Sequence, residues 1–402
     1  MKLLIPLVAL LCSHSIAAEK KPLRIFILAG QSNMQGHAKI STIEHIGMDP
    51  ATKPMLAEIT GADGKPKVAE RVWISSIGCA KDDTTEQTGK LTAGFGATTE
   101  KIGPEFTFGL YMQKFTDAPI LLIKTSWGGK SLNTDFRPPS AGPYVFNETQ
   151  LAGFQKQRKD VDAIKADKAK ETGVYYRLMV DHVKKVLGDI KHVVPEYDAA
   201  QGYELAGFAW FQGWNDMVDG GTYENRDKPG GYAAYSEVMA HFIRDVRKDL
   251  GVPKLPFVIG VLGVGGSTAD YGPDQQRYKS THDNFRNAMA APAQLPEFKG
   301  NVAAIWTEKY WDSELTAAKA KENAIKQQVK KLAKEASMTP ADEKAALEKM
   351  RMEGLTERER TVMEKGISNL EFHYLGSAKI LGGIGKGLAE KMAELKQLKQ
   401  AK

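Results

Sequence analysis

Residues 23–36, LRIFILAGQSNMQG, decide how this chain reads. Leu23 to Ala29 is an apolar run rich in Ile and Leu, the pattern of a central parallel strand covered on both faces. It breaks abruptly into a tight turn carrying Gly30, Gln31, Ser32 and Asn33. Open α/β sheets place their chemistry at the carboxyl ends of such strands. Ser32 is therefore a nucleophile candidate, weighed against the helix N-cap role that a serine after a strand more often fills.

Further along, Val72–Ile77 reads as a short strand at an edge, and Lys81–Thr99 as a Thr- and Gly-rich loop. Gly103-Pro104-Glu105 opens a helix through Phe115, since proline suits a first turn and an acidic residue suits the positive end of the dipole. Ile120–Thr125 is the next strong strand and runs into a second small-residue turn, Ser126 to Ser131. Asn133–Lys170 reads first as a loop and then as a charged stretch. Helices are expected over Val174–Leu187, Tyr232–Leu250 and His282–Ala290, and strands over Tyr203–Phe211, Phe257–Leu262 and Val302–Trp306. From Ser313 to Gly366 the chain turns Ala-, Lys- and Glu-rich, a strongly helix-forming insertion. Gly376–Leu395 closes as a helix. Strands alternating with helices predict a three-layer α/β/α sandwich around a parallel sheet of about five strands.

The 402 residues can bury a full core, with 42% hydrophobic and 26% charged residues. The net charge of +6 is spread through interspersed Lys and Glu. That favours solvated helices over a nucleic-acid footprint. The first residues, MKLLIPLVALLCSHSIAAEK, have a basic start, an apolar run over Leu3–Cys12 and a small-residue end. This is the layout of a secretory signal peptide, residues 1–18, cleaved near Ala17 or Ala18. A lipid anchor at Cys12 is the rival, but Leu10-Leu11 lacks the small residue such a cleavage site wants. Cleavage leaves Cys79 alone, so no intrachain disulfide forms. Residues 19–402 then form one exported domain, periplasmic or secreted, with the helical insertion at about 313–366.

Three strand-end turns converge in this reading, carrying Ser32, then Gly129, then Gly213 and Asn215, with His373 just before the last helix. A serine hydroxyl needs a base within reach, and histidine suits neutral pH. The oxyanion needs fixed donors: the N–H groups of Ser32 and Gly129, and the Asn215 amide. Glycine at 129 avoids a side chain that would block the substrate's approach to the backbone.

GQSNMQG at 30–36, the glycines at 128–129, FQGWND at 211–216 and FHYLGSAK at 372–379 together resemble the SGNH hydrolase superfamily. They are most similar to the bacterial carbohydrate-esterase branch that includes the sialate O-acetylesterase domain. The likeness spans residues 22–311 and 367–395. It implies a flavodoxin-like fold and a Ser–His ester hydrolase with donors at Ser32, Gly129 and Asn215. It also implies an O-acetylated sugar as substrate. One position departs from that pattern. The family commonly carries Asp three residues before the histidine, and here that place is Leu370. The orienting group could be Asp216, the first choice, or Glu371, Asp312 or a backbone carbonyl.

Gln31 and Asn33 either satisfy buried backbone or hold Ser32 and contact substrate. Trp127 and Trp214 flank the donors and are candidates to stack on sugar rings; part of the set of tryptophans at strand ends is core. His37, close behind Ser32, reads as a rim histidine. No HExxH motif or compact Cys–His set appears, so neither metal nor cofactor is expected. A non-catalytic carbohydrate-binding relative and a lipase- or thioesterase-like hydrolase are the alternatives. The sequence leaves the oligomeric state open.

Overall fold

The computed structural model describes residues 21–79 and 82–400. The expected signal peptide, with Cys12, lies outside the described residues. Strand β1, Leu23–Gly30, is the middle of a seven-stranded sheet. The others are β2 Val72–Ile77, β3 Gln87–Lys90, β4 Ile120–Ser126, β5 Tyr203–Phe211, β6 Phe257–Val261 and β7 Val302–Trp306. Their spatial order is β3-β2-β4-β1-β5-β6-β7. Six run parallel, and only β3 is antiparallel, against β2. The sheet is thus larger than expected, and β2 lies one place in from the edge. Its neighbour β3 falls in the stretch expected to be a loop. QTGK has no apolar alternation to announce a strand, and pairing with β2 alone orders it.

Side-chain alternation along the strands sorts the helices into two layers. Phe26 of β1 packs edge-on to Phe108 of α1, Pro104–Met112. On the same face, α1 packs closely against the closing helix, Ala378–Leu395, where the Thr107 hydroxyl donates to the Gly382 carbonyl at 2.8 Å. On the other face lie α2, Val174–Gly188, α3, Ala233–Asp249, and α4, Lys279–Ala290. There Phe208 and Trp210 of β5 pack on Phe242 of α3. All the apolar side chains of β1 are buried, which is why the strand reads as one apolar run.

The chain leaves β1 toward β2 and β4 on one side, then crosses to β5 and beyond on the other. The carboxyl end of β1 is therefore a switch point, where open α/β sheets form a crevice. In the flavodoxin arrangement the second strand lies beside the first; here β4 takes that place. The Lys/Glu-rich insertion forms three helices, α5 Ser313–Glu335, α6 Pro340–Gly354 and α7 Glu357–Gly366. The closing helix becomes α8. Asp312, Thr339 and Thr356 cap the three insertion helices with their side-chain oxygens, the signals that their sequences carry.

Candidate active site

Ser32 begins a single helical turn, Ser32–Gln35, directly after β1. As the first residue of that turn its N–H has no intrahelical partner. The turn is held tightly from below. Gly30 lies so close to β5 that a Cβ there would collide with the Phe211 carbonyl oxygen. At the far end, Lys124 of β4 donates to the carbonyls of Gln35 and Phe95 at 2.8 and 2.6 Å and to Glu105 at 2.8 Å. Lys124 and Glu105 are both fully buried. Burial pushes the Glu105 carboxyl up and the Lys124 ammonium pulls it back.

Gln31 links the first turn to the third. Its Nε2 donates to Asn215 Oδ1 at 2.8 Å, while its Oε1 accepts from the N–H of Gly213 at 2.9 Å and from Gln212 Nε2 at 3.2 Å. Asn215 in turn donates from Nδ2 to the Gly129 carbonyl at 3.0 Å. The three turns are thereby tied together, with one Asn215 amide hydrogen unpaired among the described residues. The Gly129 N–H is committed to no acceptor among the described residues. A Cβ at Gly129 would meet nothing, but its φ of +73° lies in the left-handed region. Glycine is needed there for the backbone conformation, not for the clearance expected from sequence.

His373 lies in the short loop Glu371–Gly376, which packs against the Ser32–Gln35 turn. Tyr374 and Leu375 both adopt left-handed φ values, 53° and 60°. Non-glycine residues in that region cost on the order of 1–2 kcal/mol each. The buried Tyr374 hydroxyl holds the loop by its bonds to the Gly263 N–H and the Thr307 hydroxyl, both at 2.8 Å. His373 Nδ1 lies 3.1 Å from Asn369 Oδ1. Its ring stacks on His37 with centroids 4.0 Å apart and planes 2° from parallel. His37 is half-buried and partners His373. Burial and nearby Lys101 lower the His373 pKa to about 4; burial, His373 and Lys101 lower that of His37 to about 3. Neither Ser32 Oγ nor His373 Nε2 has a hydrogen-bond partner among the described residues.

Several expectations need correction. Asp216 does not orient His373. Its buried carboxylate accepts from the N–H groups of Leu132 and Asn133 at 2.7 and 3.0 Å, from Gln212 Nε2 at 2.5 Å and from the Tyr223 hydroxyl at 3.1 Å. It clamps the loop after Gly129 to the third turn. Burial raises its pKa to about 6, against the pull of those donors. Asp312 caps α5 and pairs with Lys379 at 2.8 Å, and Glu371 faces Lys319 at 3.8 Å. Trp127 is buried against Phe136 and Tyr175, with its Nε1 on the Asp83 carbonyl at 2.9 Å, so it does not line a cleft. Gln31 is equally buried and its polar atoms are spent on the third turn. Asn33 is buried, with neither amide atom hydrogen-bonded. Sequence reasoning missed Asn369 and the His37 stack. An amide four residues before the histidine was the available signal for the first.

The model of the family described as "Carbohydrate esterase, sialic acid-specific acetylesterase" matches residues 22–299. This chain belongs to that SASA family. It is an esterase hydrolase, and the family implies an acylated carbohydrate as its substrate. No curated protein sequence matches it. Among solved structures it is similar to a protein from Arabidopsis thaliana, at 18% identity and TM-score 0.38, covering 71% of this chain and 86% of that one. It is also similar to a protein from Xanthomonas citri described as a novel carbohydrate acetylesterase, at 14% identity and TM-score 0.38. That match covers 70% of this chain and 49% of the other, so the SASA esterase aligns with about half of that protein.

Beside the site of the SASA esterase, Trp214 and Phe372 pack with centroids 5.6 Å apart. They form one wall of a cleft of about 640 Å³, whose other lining residues include Arg226, Tyr271, Tyr278 and His282. Trp214, unlike Trp127, is therefore available to a ligand. No helix among the described residues is long and apolar enough to cross a membrane.

Proposed function

We propose that this SASA esterase removes O-acyl groups, acetyl in particular, from carbohydrates through a covalent serine mechanism. Ser32 Oγ attacks the ester carbonyl while His373 Nε2 takes its proton. The tetrahedral oxyanion is received by the N–H groups of Ser32 and Gly129 and by the free Asn215 amide hydrogen. Collapse breaks the bond to the sugar oxygen, which leaves with the proton from His373. Water then attacks the acyl-enzyme by the same route and releases the carboxylic acid. The cleft at Trp214 and Phe372 receives the sugar, its aromatic faces matching apolar ring faces.

The observation that carries this reading is the meeting of three turns at the switch point. One bears a serine at a strand end, one an uncommitted Gly129 N–H, and one an amide tied to both. A binding module has no physical need for nucleophile, base and oxyanion donors on one edge. The test is turnover of para-nitrophenyl acetate, longer acyl esters and an O-acetylated sugar by wild type and Ser32→Ala. Acetyl preference and an inactive, folded variant are expected; a variant near wild-type turnover overturns the mechanism. We also propose export behind the residue 1–18 leader. Terminal sequencing of protein recovered from outside the cytoplasm should begin near residue 19, and an intact leader there would refute it.

A further inference from the structure

The Ser368–Ser377 loop bonds mainly to itself. The N–H groups of Ser368 and Asn369 both donate to the Leu375 carbonyl, at 2.9 and 3.0 Å. Those of His373 and Leu375 donate to the Leu370 carbonyl, at 3.0 and 3.1 Å. This folding turns the Asn369 side chain back over its own loop. There its Oδ1 receives the Leu370 N–H at 2.7 Å as well as facing His373 Nδ1 at 3.1 Å.

That double contact removes the usual ambiguity of an amide. A side-chain amide offers an acceptor at one end and a donor at the other, and either could face an imidazole. The Leu370 N–H can only donate. The atom beside it must accept, so the oxygen is fixed in place and the same oxygen faces the ring. An acceptor opposite Nδ1 requires the proton on Nδ1 and leaves the lone pair on Nε2. With the amide turned round, the imidazole would carry its proton on Nε2 and could not take one from serine.

We infer that Asn369 is the positioning residue of the general base: its oxygen, locked by the Leu370 N–H, selects the productive tautomer of His373, while the stacked His37 ring fixes its plane. This inference rests on the Ser32–His373 reading above. It supplies the orienting group that Leu370 cannot. It also makes this site differ from one with a carboxylate at that place, because a neutral amide sets the tautomer without offering a counter-charge to the imidazolium.

Burial first, and then the charges around His373, set its titration. Lys101 approaches from the strand Lys101–Ile102 and lies 3.5 Å from His37 Nδ1. Lys124 acts on His37 from beneath. On the base's own loop Glu371 is turned toward Lys319 of the insertion. No carboxylate touches the ring among the described residues, and the base stays neutral well into acid. The acid limb of kcat/KM is therefore expected near pH 4, where protonation disables His373.

Two variants test this. Asn369→Leu removes the acceptor and should lower kcat by roughly 10²–10⁴ with little change in KM. Asn369→Asp keeps an acceptor for both donors and adds a negative charge. It should retain activity and move the acid limb of kcat/KM upward by roughly one to three pH units. A merely structural role for Asn369 predicts no such movement. An unmoved limb in Asn369→Asp, or near-normal kcat in a folded Asn369→Leu, overturns the inference. The Asn369→Asp profile decides alone if the leucine variant does not fold. Ser32→Ala, run beside them, separates the two levels. If it is inactive while Asn369→Leu is normal, only the role of Asn369 falls; if it is active, the Ser–His reading falls with it.

Discussion

Ser75 is hydrogen-bonded to a histidine and Ser32 is not, yet Ser32 is the serine proposed for catalysis. Ser75, in the middle of β2, lies 2.8 Å from His182 Nε2 of α2 and donates to Glu86 at 2.7 Å. Glu86 also receives His192 at 2.8 Å and Lys185 at 2.9 Å. Burial pulls the Glu86 carboxyl up, but these partners outweigh it and hold it near 2. Judged by distance alone, that is a serine–histidine–carboxylate cluster. Yet Ser75 is 0% exposed, and its residue is laddered on both sides, to Ile123 and to Thr88. No ester can reach it. Ser32 is 7% exposed and makes no such bond. It has what Ser75 lacks: a strand end, a free N–H and a neighbouring turn with another. Access and uncommitted donors mark a nucleophile better than a short distance to histidine does.

That contrast can be broken by experiment. His373→Ala should lose about 10⁴-fold or more in kcat, whereas His182→Ala should change kcat by only a few-fold; parallel turnover measurements compare them directly. Equal losses would erase the distinction. Next in size is Asn215→Ala, expected to lower kcat by roughly 100-fold or more through the lost oxyanion donor, with a smaller change in KM. An effect on KM alone would make Asn215 a binding residue. Ser75→Ala should leave kcat unchanged and cost about 1–3 kcal/mol of stability, since buried His182 and partly buried Glu86 each lose a partner; denaturant midpoints measure it.

A further effect is on acid stability. Burial is the first cause that lowers the pKa values of His37 to about 3 and of His182, His282 and His373 to about 4. The unfolded chain takes up these protons near pH 6.5, before the folded one does. This contribution to stability is constant above that pH and is lost as pH falls from about 6.5 toward 4. Denaturant midpoints at pH 7, 5.5 and 4.5 should decline in that order, and a rise would contradict the neutral burial of these rings.

Legibility in the sequence divides along the same physical line. Ser32, Gly129 and Asn215 stand at the ends of buried strands, and strands announce themselves by apolar runs that the sheet then brings into register. Their convergence was legible for that reason. The choice of Asp216 failed because adjacency to Asn215 does not fix where a carboxylate points; four donors from the Gly129 side and its own turn claim it. Asn369 was hidden for a different reason. Its role depends on left-handed backbone at Tyr374 and Leu375, which no pattern of apolar residues encodes. His37 was hidden likewise, since only the packing of the His373 loop over the first turn brings the two rings together. Strand β3 escaped notice because its pairing, not its composition, orders it.

Ser32, and not Ser75, is proposed to carry the acyl group. Incubating the purified enzyme with a fluorophosphonate ester and mapping the adduct by peptide mass spectrometry tests it directly. One phosphonyl group on the peptide containing Ser32, loss of esterase activity in proportion to labelling, and no labelling in Ser32→Ala are expected. Complete inactivation with the adduct on another residue, or full activity in an enzyme labelled at Ser32, would contradict it.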